Sequence, residues 1–115
     1  MKISVRHREG VTIVEPKGKV TIGEGDVMLR DAVYEAINAG SNKILINLKE
    51  VSTMDSSGIG ELVAAYTTVT DGGGTLKLYN LPPKIQDILQ ITQLVTVFDL
   101  FDDEEEAMES YKPAQ

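Results

Sequence analysis

Six consecutive residues, Asp55-Ser56-Ser57-Gly58-Ile59-Gly60, place a carboxylate, two hydroxyls and two glycines between an apolar run and a helical pattern. Such a set could hydrolyse, cradle a phosphate, accept a modification or simply start a helix. Hydrolysis by a nucleophile elbow needs glycine two residues before the serine, and Met54 and Asp55 stand there instead. A base is also missing. His7 is the single histidine, and its setting, Arg6-His7-Arg8 in a predicted strand, is that of a solvent-facing side chain.

Phosphate binding has more in its favour, because free N–H groups and the helix dipole at a strand-to-helix turn attract anions. Yet the dinucleotide fingerprint has Val63 where its third glycine belongs, and neither this loop nor Gly72-Gly73-Gly74-Thr75 has the lysine of a P-loop. A metal site is left with carboxylates, of which Glu24, Asp26 and Asp55 could meet only by assembly at the strand ends. No metal or cofactor is expected. The plain alternative is that Asp55, Ser56 or Ser57 caps a helix, worth about 1 kcal/mol. Two glycines in a first turn each cost roughly 0.5–1 kcal/mol against alanine, which suggests that something approaches this backbone closely.

The elements that position the loop follow from the apolar spacing. Val5 and Val11-Thr12-Ile13-Val14 flank Arg8-Glu9-Gly10 as an N-terminal hairpin, and Pro16 places the second strand at a sheet edge or ends it early. Val27, Leu29, Ala32, Val33, Ala36 and Ile37 form a helical stripe closed by Gly40. Ile44-Leu45-Ile46-Asn47-Leu48 reads as a strand covered on both faces, leading directly into the loop.

Ile59, Leu62, Val63, Tyr66 and Val69 trace the next helix, ended by Gly72-Gly73-Gly74, before the strand Thr75–Tyr79. Pro82-Pro83 opens a further helix with Ile85, Ile88 and Leu89 buried, and Val95-Thr96-Val97-Phe98 reads as a last strand. The acidic run 102–106 suits the first turn of a closing helix through Ala107, Met108 and Tyr111, and residues 112–115 are expected to fray. The order β-β-α-β-α-β-α-β-α predicts a single α/β domain over 1–115, with a mixed, mainly parallel sheet and about four helices. Function in such a sheet sits at the carboxyl ends of the strands, where residues 51–60 lie.

The composition narrows the function classes. A chain of 115 residues buries roughly two-thirds of the surface its unfolded form exposes, enough for one core. The absence of cysteine removes disulfides and thiol chemistry and fits a reducing compartment. No apolar run approaches the roughly 20 residues of a membrane span, so the expectation is a cytoplasmic protein without membrane insertion. Net charge −7, scattered basic residues and no tryptophan argue against direct nucleic-acid binding.

Met54-Asp55-Ser56-Ser57-Gly58-Ile59-Gly60 after the strand Ile44–Leu48 resembles the signature of the STAS domain, specifically of bacterial anti-sigma-factor antagonists. The resemblance covers nearly the whole chain: the opening hairpin, Gly18 closing the second strand, the helix to Gly40, the Gly72–Gly74 turn and the helix after Pro82.

The resemblance implies a binding switch and no enzyme. In such antagonists the serine after the aspartate is phosphorylated by an anti-sigma factor that is itself a serine kinase, and a PP2C-type phosphatase resets it. The unmodified form binds the kinase and releases the sigma factor. Carried over, Ser56 is the phosphoacceptor and Asp55, Ser57, Gly58, Ile59 and Gly60 shape the partner-binding loop. A homodimer is compatible with the resemblance. One position departs from it, since the family's aspartate after the second strand is Thr21 here, with Glu24 and Asp26 out of register. That departure motivates the alternative of an unphosphorylated STAS subunit for a transporter or a multi-protein sensor.

Overall fold

The computed structural model describes residues 1–112. Of the fraying expected over 112–115, Lys112 is seen with its N–H donating to Glu109 O at 3.0 Å, and the remainder lies outside the described residues. Chain order is β1 (Lys2–Arg8), β2 (Val11–Val20), α1 (Gly25–Asn38), β3 (Lys43–Asn47), β4 (Val51–Met54), α2 (Ser56–Asp71), β5 (Thr75–Tyr79), α3 (Pro83–Ile91), a 3₁₀ turn (Leu94–Thr96), β6 (Asp99–Phe101) and α4 (Glu104–Glu109). The sheet runs β1-β2-β3-β5-β6, with β4 beside the far half of β2. Only β1 against β2 is antiparallel. The α/β class, the mixed sheet and the hairpin at one edge are as expected.

The two faces of the sheet are covered unequally. Leu29, Val33 and Ala36 of α1, Leu62, Ala65 and Val69 of α2, and Ile85 and Leu89 of α3 bury one face together with Val14, Ile44, Ile46, Leu76 and Leu78. The other face, Val11, Ile13, Leu45 and Tyr79, is covered by Ala107 and Met108 of α4. Ile44, Leu45 and Ile46 are all fully buried, which explains why β3 is apolar at consecutive positions.

The short helix α4 is fastened by charge. Asp103 caps it through the N–H of Glu106 at 2.8 Å. Glu104 accepts from Arg6, from Arg8 at 2.6 Å and from the hydroxyl of Tyr79 at 3.0 Å, while Arg6 also holds Glu15 at 2.9 Å. These bonds, with the Arg6 contact foremost, hold the Glu104 and Glu15 carboxyls below the usual glutamate range. At the helix's far end the Tyr111 hydroxyl donates to the carbonyl of Ile44 at 2.9 Å. The acidic run therefore starts a helix as read, and it also grips the Arg6-His7-Arg8 strand.

Four expectations are corrected. Strand β2 is interior, not at an edge: its first half pairs β3 through Thr12–Val14 and its second half pairs β4 from Gly18 onward. Pro16 falls in the gap between these two pairings. The N–H of Gly18, two residues on, points to Glu50 O at 2.9 Å, so strand alternation aims the proline nitrogen at the fork, where no donor is needed.

Gly18 does not close the strand either; at φ +110° it carries a register shift, and β2 continues to Val20. Residues 51–54, read as loop, form β4 with Val51 and Met54 buried. Residues 95–98, read as a strand, follow a left-handed Gln93 into the 3₁₀ turn, and the strand starts at Asp99. The cause is Phe98, which turns into the helix-side core and meets Tyr66 edge to face at 5.4 Å.

Candidate functional site

The end of β4 delivers Met54 into the core and leaves Asp55 extended, at φ −99°, as the N-cap of α2. Its Oδ1 accepts the N–H of Gly58 at 3.0 Å. Its Oδ2 accepts the N–H of Ile22 at 2.9 Å, from the connection between β2 and α1. These two backbone donors, Ile22 first, hold the Asp55 carboxyl below the usual aspartate range. One side chain thus ties the start of α2 to a neighbouring loop.

With Asp55 as the cap, neither serine is needed for that task. Ser56 is the first helical residue and is exposed; Ser57 follows it and is half-buried. Of the candidates for capping, the structure selects Asp55 and leaves the Ser56 hydroxyl at the surface, at the positive end of a 16-residue helix.

The two glycines of the turn differ. A Cβ on Gly58 would lie 2.2 Å from the carbonyl oxygen of Val20 and 2.7 Å from Cγ of Met54, so the close approach expected from the sequence comes from the protein's own β2. A Cβ on Gly60 would meet nothing within 4 Å, and Gly60 is exposed. Its smallness has no internal cause.

Glu24, Asp26 and Asp55 do not assemble a metal site: among the described residues no group of three or more acidic or histidine side chains is placed to hold an ion. Asp26 turns its Oδ1 back to the N–H groups of Gly23 at 3.1 Å and Val27 at 2.8 Å. Thr21 lies at the mouth of the same connection, its carbonyl accepting from Asp26 N at 3.1 Å. His7 is exposed, as expected.

Ile22 escaped the sequence reading. It is 74% exposed beside Asp55, a large apolar side chain held outward by its own backbone N–H. An isoleucine between Thr21 and Gly23 in a polar, glycine-containing stretch is the signal that could have found it.

Comparison with known proteins decides the family. The STAS domain model matches residues 2–107. The chain belongs to the STAS family. Among its relatives, the anti-sigma-B factor antagonist of Bacillus subtilis strain 168 is 31% identical over 100 residues, which is 87% of this chain and 90% of that protein. The crystal structure of a candidate anti-sigma factor antagonist from Thermotoga maritima, 27% identical, matches 94% of this STAS domain and 92% of its own chain with a TM-score of 0.88. The Bacillus cell fate determinant SpoIIAA in its phosphorylated form shares the fold at 22% identity and TM-score 0.75, over 96% of this chain and 100% of that one. Among the described residues no helix of this STAS domain is long and apolar enough to cross a membrane.

Proposed function

We propose that this STAS domain, acting as one unit over residues 1–115, is an anti-sigma-factor antagonist switched by phosphorylation of Ser56. The observation that carries the reading is the exposed Ser56 hydroxyl at the first position of α2, with the cap already taken by Asp55. An anti-sigma factor with serine-kinase activity transfers the γ-phosphoryl of ATP to Ser56 Oγ. The bond to the β-phosphate oxygen breaks, the hydroxyl proton leaves and ADP departs. A PP2C-type phosphatase hydrolyses the phosphoserine: water attacks the phosphorus, the bond to Ser56 Oγ breaks, and the serine hydroxyl and inorganic phosphate are released. All of this takes place in the cytoplasm, without nucleic acid.

The modification adds about −1.5 to −2 charges. At a helix N-terminus such a charge is favourable by roughly 0.3–1 kcal/mol, so the fold survives. At a docked interface the same dianion is desolvated or set against acidic groups, and each 1.4 kcal/mol lost there is about tenfold in affinity. The unmodified loop, Asp55 to Gly60, binds the kinase and frees the sigma factor; the modified loop does not. Incubation with the kinase and ATP, followed by fragment mass spectrometry, should place the phosphate on Ser56. Label confined to Ser57 or Thr53, or absent, would refute the assignment.

A second reading is favoured by Thr21, since the nearby Asp26 carboxylate is committed to its own loop and does not substitute for an aspartate there. In that case the domain is an unphosphorylated subunit of a transporter or sensor complex. Recovery of such subunits, and no kinase, in an affinity purification would select it.

A further inference from the structure

We propose that Asp55 is the positioning residue of the switch: it fixes Ile22 in the unmodified protein, and a phosphate on Ser56 releases Ile22 by taking over the Gly58 N–H. This deepens the phosphorylation reading above and rests on it. Asp55 is bidentate across two elements, with Oδ1 on Gly58 N in α2 at 3.0 Å and Oδ2 on Ile22 N at 2.9 Å. This carboxylate joins the first turn of α2, which Ser56 opens, to Ile22, a side chain that is 74% exposed.

The free N–H groups of a helix's first turn are few, and the third helical residue, Gly58, has its N–H held by Asp55. A phosphoseryl group at the first helical position competes for those donors with more charge and more acceptor oxygens than a carboxylate has. The two anions are adjacent in sequence, so each also repels the other. Asp55 then loses the bond that orients its carboxylate, and its hold on the Ile22 N–H weakens with it.

The rest of the β2–α1 connection is anchored independently. Asp26 holds Gly23 N and Val27 N, and its own N–H goes to Thr21 O. What comes loose is therefore Ile22 alone, turning about the left-handed Gly23 at φ +100°. Charge at Ser56 thus becomes disorder in an exposed apolar side chain on a different loop.

The test is amide hydrogen exchange, read by NMR, on the full chain with phosphoserine genetically encoded at position 56, so that no kinase is required. The Ile22 amide should exchange about tenfold faster than in the unmodified chain, with the Gly58 amide resonance displaced in the same sample. In Asp55→Asn, which leaves one acceptor oxygen in place of two, Ile22 should already exchange faster, and phosphoserine should add little. Unchanged Ile22 exchange in the phosphoserine protein, with displacements confined to residues 57–60, overturns the inference. That result leaves the kinase reading standing, whereas failure of the kinase to label Ser56 removes the reading without touching this measurement.

Discussion

The carbonyl oxygen of Val20 lies only 2.2 Å from where a Cβ on Gly58 would sit, so the last residue of β2 and the first turn of α2 meet at a contact that admits only hydrogen. Gly58→Ala must push α2 away from the sheet against backbone that cannot rotate aside, at a cost of about 1–3 kcal/mol. Gly60→Ala meets open space and should instead stabilise α2 by roughly 0.5–1 kcal/mol. Urea unfolding of both variants measures the opposite signs. Binding of the anti-sigma partner should nevertheless weaken in Gly60→Ala, because the methyl group protrudes from the loop's outer face.

Ser56 is exposed and uncommitted to capping, so its replacements should separate stability from binding. Ser56→Ala and Ser56→Asp should each stay within about 0.5 kcal/mol of the parent in thermal unfolding. Titration calorimetry with the partner should show near-parental affinity for Ser56→Ala and a loss of about tenfold or more for Ser56→Asp. Equal affinities for the two would argue against a charge-operated interface.

The clasp on α4 predicts an acid limb. The Glu104 and Glu15 carboxyls titrate below the ordinary value of 4.5 in the folded protein, chiefly through Arg6. Their contribution is therefore complete above the unfolded value and is lost as pH falls through the folded one. Glu104→Gln should flatten the decline of stability below about pH 4.5 and, near neutrality, cost roughly 1.5 kcal/mol, the low end for charged hydrogen bonds because Arg6 and Arg8 are part-exposed. Urea midpoints against pH give both quantities.

An alkaline limb should mirror it. Burial pushes the Tyr111 hydroxyl up to about 12 from an ordinary 10, and burial together with the Glu104 carboxylate raises Tyr79 further. A group whose folded value is raised stabilises fully below the unfolded value and ceases to do so as pH climbs through the folded one. Stability should fall from about pH 10 upward. In Tyr111→Phe, which lacks the ionisable hydroxyl over the Ile44 carbonyl, that fall should be shallower. Tyrosinate absorbance followed alongside circular dichroism distinguishes the two proteins.

Much of the site was readable in advance because its grammar is local. A capping residue, two hydroxyls and a glycine follow one another at a strand-to-helix turn, and each can be recognised without knowing its neighbours in space. The burial of β3 on both faces was likewise legible in three consecutive apolar residues. What escaped depends on contacts between distant segments. Residues 51–54 are strand through their pairing with Gly18–Val20, and Phe98 lies in the helix-side core against Tyr66 instead of in the sheet. Nothing around Ile22 announces that Asp55, 33 positions later, takes its N–H. Similarly, Arg6 and Glu104 are 98 positions apart, and composition alone reads both as solvated charges.

Pro16, in the gap where β2 changes neighbours, bears on how the chain avoids error while folding. Two parallel strands compete for one edge of β2, and both carry β-branched or apolar residues that could pair with either half. A donor missing at the boundary makes every slipped pairing that spans it one hydrogen bond short, a penalty of about 0.5–1.5 kcal/mol against β3 extending into the ground of β4. The proline thereby marks the boundary at which that edge of β2 passes from one parallel neighbour to the other.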